Sequence, residues 1–531
     1  MPEPAITSTE HAIAQLPPHL RRYVVTQDYG AYTPRDQAVW RHILHRLTAH
    51  LGDKAHPSYL RGLEATGIGL ERIPSLDEMN EKLARMGWSA VAVRGFVPPA
   101  VFTELQSLRV LAIAADIRTF EHIAYTPAPD IIHESAGHAP ILVDPRYSEF
   151  LQRCGILGFK SIASLEDQVV YEAIRHLSVV KEDPHSTSED IRLAMDRLQA
   201  ASVSRRFVSE STRASRLYWW TAEYGLVGEL DRPRIYGAGL LSSLGEAEHC
   251  LTPAVKKLPL SLVCADTEYD ITTMQPQLFV ARDFEHLFEV LEAFEATLAW
   301  KRGGDAGLEE ALRARTVNHL VLQDGLELSG RIAQRIPGRP LSSSLGTAFV
   351  LLEGPLMVSR QGHAEGRPWP GEALVAFGRG ELPSRGPFDL ELATGLRLTG
   401  FHVGDREVIN LRGTLEGRTL ELPSRALLFL GEGLPSVAGG PADPGTWDHW
   451  YGDLNAFATG DAEGLARQRK AEALAPELAA LYARIRTLRG ENPPDPAHLE
   501  ALARESAPYA DEWLLQTEIA ELRTHALEGR P

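Results

Sequence analysis

Cysteine is almost missing from this chain: Cys154, Cys250 and Cys264 are the only three in 531 residues. Scattered and odd in number, they argue against a disulfide framework and against a thiolate metal site. No apolar run approaches the ~18 residues that a bilayer-spanning helix needs. The opening stretch, MPEPAITSTEHAIAQLPPHL, lacks the basic-then-apolar pattern of a secretory signal. Basic side chains are also in deficit, with 54 Lys and Arg against 71 Asp and Glu and a formal net charge of -17. Nucleic acid and anionic membrane surfaces, which demand a basic face, are therefore not expected as partners. A reducing cytoplasm is the expected location. What remains is globular in composition, 44% apolar and 24% charged, and long enough for two to four domains at about 150 residues each.

Chemistry concentrates in Pro127 to Pro145, PAPDIIHESAGHAPILVDP. His133 and His138 stand five residues apart, with Glu134 between them. The pattern is HExxxH, not the HExxH that sets two metal ligands on one helical face. At about 100° per residue a five-residue step turns roughly 140°, so both rings reach one ion only if the helix ends or distorts between them. Gly137 permits an ending. A third candidate, Glu223, lies in the aromatic run YWWTAEYGL, where a carboxylate is buried only if paired or bound to a cation. Two neutral imidazoles and one carboxylate with open positions form the facial triad of non-haem Fe(II) oxygenases. Asp144, Glu149 and Glu172 remain available as the third ligand. Two other readings exist: a zinc hydrolase with Glu134 as base, disfavoured by the HExxxH spacing, and a scaffold without turnover, whose mark would be a broken triad.

PDIIHESAGHAP, the upstream IR…YTP, YWWTAEYGL and YGAGLLSSLGE at Tyr236 to Glu246 resemble, in order, the motifs of the aromatic amino acid hydroxylases, the pterin-dependent phenylalanine, tyrosine and tryptophan hydroxylases. The resemblance covers roughly Leu16 to Gly304. It implies Fe(II) held by His133, His138 and Glu223, a tetrahydrobiopterin-type cofactor, O2 and an aromatic amino acid substrate. It further implies pterin contacts from Gly95, Phe96 and Val97, with Phe102 stacking on the ring and Glu134 beside it. Arg118 would hold the substrate carboxylate in its planar fork, supported by Thr126. Gly239 would line the amino acid pocket, Trp219 would stack near the substrate ring, and Ser242 would support a metal ligand; Glu134, Trp219 and Ser242 are thereby tied to catalysis. One departure is Leu111–Ala115, where animal members carry a polar, His-bearing run. The Trp219–Trp220 pair favours L-phenylalanine to L-tyrosine; hydroxylation of tryptophan or tyrosine is the alternative within the family.

The expected fold class is α+β: a mainly helical catalytic domain with short strands, then a small all-β domain and a helical C-terminal segment. Residues 1–15 read as a polar tail, with no room ahead of the core for a regulatory domain, and 16–335 as the catalytic domain. His138 and Glu223 are 85 residues apart, about twice the spacing in animal relatives, which suggests a helical insertion around 161–216. A capping-box spacing precedes two helices, at Ser75–Glu78 and Ser186–Glu189. The second helix is expected to bury Ile191, Met195 and Leu198. Beyond a Pro/Gly/Ser linker at Ile336–Gly346, alternating stretches predict a β-rich domain over 347–433. After a second linker, Leu434–Pro444, a helical region covers 445–531. Every residue given a role precedes Glu246, so a chain cut near Gly338 is expected to stay active. The sequence sets no oligomeric state.

Overall fold

The computed structural model describes residues 8–528 apart from 96, 121–122, 124–129, 184, 272, 452–473 and 492–493. Phe96 and Thr126, two of the expected site residues, lie outside the described residues. The molecule is α+β: helices dominate up to Ala314, strands run from Val317 to Gly439, and three longer helices, Pro476–Arg489, Pro496–Glu505 and Trp513–Glu528, close the chain. No helix among the described residues is long and apolar enough to cross a membrane.

The N-terminal segment is not loose from Ser8 onward. Ser8 Oγ caps the Thr9–Gln15 helix at His11 N–H, and the Thr9 N–H donates to Asp77 Oδ1 at 2.9 Å. Pro34, suited to a helix's first turn, opens the Pro34–Leu51 helix, where Thr33 and Asp36 form a reciprocal capping box. Its Trp40, Ile43, Leu44, Leu47 and Leu51 are fully buried, each aliphatic side chain contributing about 1.5–3 kcal/mol. The expected capping boxes shift. Ser75 makes no side-chain cap bond; the first N–H of the helix, from Leu76, is accepted by Gln27 Oε1. In the second helix, Ser188–Val203, the reciprocal pair is Thr187 with Asp190. Met195 is exposed there, and Ala194 and Ala201 take the buried positions. This helix packs against Leu165–Glu182, so two antiparallel helices stand between His138 and Glu223.

Ser89–Val93 and Val110–Ala114 pair in parallel, which makes the departing run Leu111–Ala114 a buried strand. A four-stranded sheet orders Arg232–Ile235, Leu226–Glu229, Gln277–Ala281 and Lys256–Pro259. The third sheet, eleven-stranded among the described residues, is built from Val317 to Gly439.

Neither expected linker is a linker. Ile336–Gly346 lies on the long hairpin of Leu326–Ser342 with Leu345–Arg360, and its prolines coincide with register shifts at Ile336/Pro337 and Pro337/Ser342, where a missing ladder N–H is tolerated. Leu434–Pro444 contains the strand Ser436–Gly439, paired with Val317–Val321. The β-rich unit thus begins about 30 residues before the expected 347. Its core is shared with the helical part: Ile162, Leu308 and Ala311 pack with Leu320, Leu328, Val350 and Val437. Thr316 Oγ1 donates to Ala163 O at 2.6 Å and Ser436 Oγ to Trp300 O at 2.8 Å.

The C-terminal helices are likewise part of the main core. Leu481, Tyr482, Leu502, Leu515 and Ile519 join the cluster around the Pro34–Leu51 helix. Between them lies a bidentate pair, Arg41 Nε and Nη2 to the two Glu518 oxygens at 2.8 Å each, both side chains 1% exposed.

Two outcomes follow from this packing. A chain cut near Gly338 ends inside a strand and uncovers a shared core, so it is expected in the insoluble fraction, contrary to the expectation from residue roles alone; expression and sedimentation check this. Arg41→Leu leaves Glu518 buried beside only Arg489, at 3.4 Å, and is expected to cost about 3–5 kcal/mol, measured by denaturant unfolding.

Candidate active site

His133 and His138 do converge, by a distortion and not by a helix end. Ile132–His138 is a π-helical stretch, whose wider i→i+5 turn brings residues five apart onto one face. Trp219–Glu223 forms a second π turn, closed by Tyr224 N–H to Trp219 O at 2.8 Å. The Ala238–Ser242 helix is pressed against both. A Cβ on Gly137 would lie 2.7 Å from Ala238 O, and one on Gly237 would lie 2.4 Å from Glu223 O, so only glycine lets these backbones touch.

The geometry fits one metal ion. His133 Nε2 lies 3.3 Å from Glu223 Oε2 and His138 Nε2 lies 3.1 Å from Oε1. Neighbouring ligands at ~2.1 Å in an octahedral shell stand about 3 Å apart. His138 is buried, yet both its ring nitrogens lack a hydrogen bond, the approach to Glu223 having the distance without the direction. Such an orphaned buried group calls for a partner. His133 is oriented from behind: its Nδ1 lies 3.0 Å from Ser242 Oγ. Ser242 gives its own proton to Ala238 O at 2.7 Å, so its oxygen accepts from Nδ1–H, which leaves Nε2 free as a ligand.

Glu134 also offers an oxygen within 4.8 Å of the two imidazole nitrogens. Burial pushes its carboxyl up to about 8, with Glu223 and Asp130 adding to the rise against His138. Burial would raise Glu223 as well, but His138 and then His133 hold it well below the usual carboxylate range. The two carboxyls are therefore shifted in opposite directions, Glu223 being the more acidic of the two.

A cavity of about 630 Å³ opens on this cluster, lined by His133, Glu223, Arg118, Gly239, Ser242 and Trp219 among others. Arg118 is not a free fork. Asp130, which sequence reasoning missed, takes its Nε and Nη2 at 2.8 Å each, and Nη1 reaches Ser242 O at 3.3 Å. Burial opposes the Asp130 charge, but Arg118 holds its carboxyl below the usual range. Trp219 stacks on Tyr269 at 4.2 Å and on Tyr224 at 4.4 Å between centroids. Two rings that close to parallel cannot share one face, so the indole presents its edge to the cavity and not the face expected of it. Gly239 sits against the Tyr224 ring. Phe102 lines the cavity and meets Tyr218 edge to face at 6.1 Å. Gly95, with φ +64°, Val97 and Glu134 are not among the lining residues described; Val97 packs into the cluster around Leu16 and Val91. Asp144 caps the Pro145–Lys160 helix and Glu149 pairs with Arg146, which accounts for two of the alternative ligands.

The family model for biopterin-dependent aromatic amino acid hydroxylases matches residues 23–180 and 160–302. A phenylalanine-4-hydroxylase of Mesorhizobium japonicum is 30% identical over 286 residues, 53% of this chain and 87% of the relative. One of Pseudomonas aeruginosa is 32% identical over 263 residues, 49% of this chain and 83% of the relative. Among solved structures, a Chromobacterium violaceum phenylalanine hydroxylase with bound iron(III) and 7,8-dihydrobiopterin is 27% identical, with 52% of this chain and 85% of that one covered and a TM-score of 0.41.

Ser242→Ala removes the acceptor that fixes the His133 ring. It is expected to weaken divalent metal binding about 10- to 100-fold with an unchanged fold, read by metal titration alongside circular dichroism.

Proposed function

The chain belongs to the biopterin-dependent aromatic amino acid hydroxylase family, and from that premise we propose that it converts L-phenylalanine to L-tyrosine with O2 and a tetrahydropterin at an Fe(II) held by His133, His138 and Glu223. The carrying observation is the convergence of these three donors from two π turns, at 3.1 and 3.3 Å. Two imidazoles, one carboxylate and an open cavity side suit a non-haem iron oxygenase. When bound, iron and reduced pterin together supply the O2 activation.

The chain's own residues supply position. Ser242 holds His133 in the tautomer that leaves Nε2 unprotonated. Asp130 and the Ser242 carbonyl immobilise Arg118, so that the second N–H of Nη1 offers a fixed donor for a substrate carboxylate; a pre-set donor loses little freedom on binding. The Trp219 edge and the neighbouring tyrosines bound a ring-sized space, and the largely apolar walls keep water away from it. Gly239 keeps the floor low. Phe102 is the stacking partner offered to the pterin. A cytoplasmic location is part of this reading.

Purified protein is expected to carry about one iron per chain. His133→Ala, His138→Ala and Glu223→Ala should each abolish iron retention and product while thermal melts stay cooperative. Product analysis after incubation with Fe(II), reduced pterin, O2 and each aromatic amino acid should give p-tyrosine from phenylalanine at the highest kcat/KM; a clear preference for tryptophan overturns the substrate assignment. Arg118→Ala would strand a buried Asp130, so the informative change is Arg118→Lys, which keeps charge and loses the fork. It should raise KM for every amino acid tested with a smaller effect on kcat.

A further inference from the structure

The cavity does not end at the metal-ligand cluster. Its outer half is walled by the Pro99–Ser107 helix, by Gln168, Tyr171 and Arg175 of the Leu165–Glu182 helix, and by Trp447 and Asp448 from the chain just beyond the β-rich unit. Trp447 and Asp448 lie far outside the family match, which ends at 302, whereas most of the Leu165–Glu182 helix lies within 160–180, which both matched stretches cover; it is the long spacing between His138 and Glu223, and not the match, that marks this helix as extra. We propose that these added segments form the outer wall of the cofactor chamber, with Tyr171 and Trp447 contacting the flat ring system of a reduced pterin. This rests on the pterin-dependent reading above.

Three observations carry it. First, the cavity, at about 630 Å³, has two chemically distinct ends. Arg118, the cation suited to a substrate carboxylate, is at the inner end beside Ser242. The outer end offers rings, Phe102, Tyr171 and Trp447, with the amide of Gln168 and the carboxylate of Glu172 among them, and several of its charged groups are taken up by protein partners: His19 by Glu104, Arg22 by Asp448, and Asp167 by the hydroxyls of Ser209 and Thr212. A flat, uncharged heterocycle with a donor–acceptor edge fits such a wall; the zwitterionic head of an amino acid does not.

Second, the wall is built and braced. Trp447 lies against Gly440, whose φ is +70° and where a Cβ would meet the indole at 2.7 Å, so the backbone there leaves room for the ring. The Pro18–Arg21 helix and its C-cap Arg22 tie this segment to the rest of the chamber: His19 Nε2 pairs with Glu104 Oε1 at 2.8 Å, and Arg22 Nη2 with Asp448 Oδ2 at 2.8 Å.

Third, the two segments come from distant parts of the sequence, one between the metal-ligand candidates and one some 220 residues after Glu223, yet Ile162, just before the first, and Val437, ten residues before Trp447, lie in one apolar core, and both segments line the one cavity. Their common cavity-facing surface is what unites them.

The test is equilibrium binding of 7,8-dihydrobiopterin, which is not turned over, and separately of L-phenylalanine, to the full-length Fe(II)-loaded protein by anaerobic calorimetry. Tyr171→Ala and Trp447→Ala are each expected to raise the Kd for dihydrobiopterin tenfold or more while the Kd for L-phenylalanine stays within twofold, and Trp447→Phe should recover most of the affinity. Dihydrobiopterin binding within twofold of the parent in both alanine variants overturns the assignment. So does an equal loss for both ligands, which would mark a structural role. Tyr171→Ala, on a half-buried helical position, decides the matter if Trp447→Ala does not fold. A parent protein that binds phenylalanine but no dihydrobiopterin overturns the pterin-dependent reading and this wall with it; a parent that binds both, with indifferent variants, overturns the wall alone.

Discussion

The site depends on backbone touching backbone. Two π turns carry the three candidate ligands, and a π turn is a local loss, because its wider i→i+5 hydrogen bonds are rarely favoured over the α-helical pattern. Here the loss is offset by contact with the short Ala238–Ser242 helix, which approaches Gly137 on one side and continues from Gly237 against Glu223 on the other. The same helix supplies Ser242, whose hydroxyl sets the His133 tautomer, and its Ser242 carbonyl receives Arg118. One five-residue element thus couples metal-ligand spacing, ring orientation and the substrate-binding cation. Adding even a methyl group at Gly137 or Gly237 would separate these elements, and all three functions would move together.

The core around the site extends beyond the family-matched region. The C-terminal helices pack directly on the Pro34–Leu51 helix and bury the Arg41–Glu518 pair, while the β-rich unit shares its apolar interior with Ile162 and the Gly304–Ala314 helix. A buried ion pair is weak evidence of stability but strong evidence of a unique register, since any other docking leaves a charge unpaired. The appended units are thereby fixed in place, which is what allows one of them to border the cavity.

The sequence announced the site more clearly than the architecture around it. HExxxH spacing demanded a distortion near Gly137, and the distortion exists, but as a π turn and not as a helix end; spacing counts residues per turn and cannot say how the turn accommodates them. Trp219 was legible as a cavity residue, yet its stacking on Tyr269 and Tyr224 was not, because Tyr269 is 50 residues away in the chain and stacking is a tertiary fact. Asp130 lies in the motif itself and escaped notice as the partner of Arg118, though a buried arginine implies a carboxylate close by. The two linkers failed for a different reason. Pro, Gly and Ser usually mark loops, but at a register shift a strand tolerates them, and only pairing with a distant strand tells the cases apart.

Glu134 and Glu223 show how far neighbours, not residue type, set the chemistry. Both are buried carboxyls beside the same imidazoles, and in both cases burial is the largest influence and raises the pKa. Glu223 lies 3.1 and 3.3 Å from the two Nε2 atoms, and positive charge at that point, on the rings or on a cation between them, outweighs burial. Glu134 is drawn down by His138 but feels Glu223 and Asp130 in addition, so repulsion joins desolvation and its pKa rises. The arrangement favours negative charge on the carboxyl nearest both Nε2 atoms and disfavours it on Glu134, as paired carboxyls in enzyme sites often do. His133, His138 and Glu223 would hold a cation at this point, and the cavity beside His133 and Glu223 would leave room for substrate and cofactor.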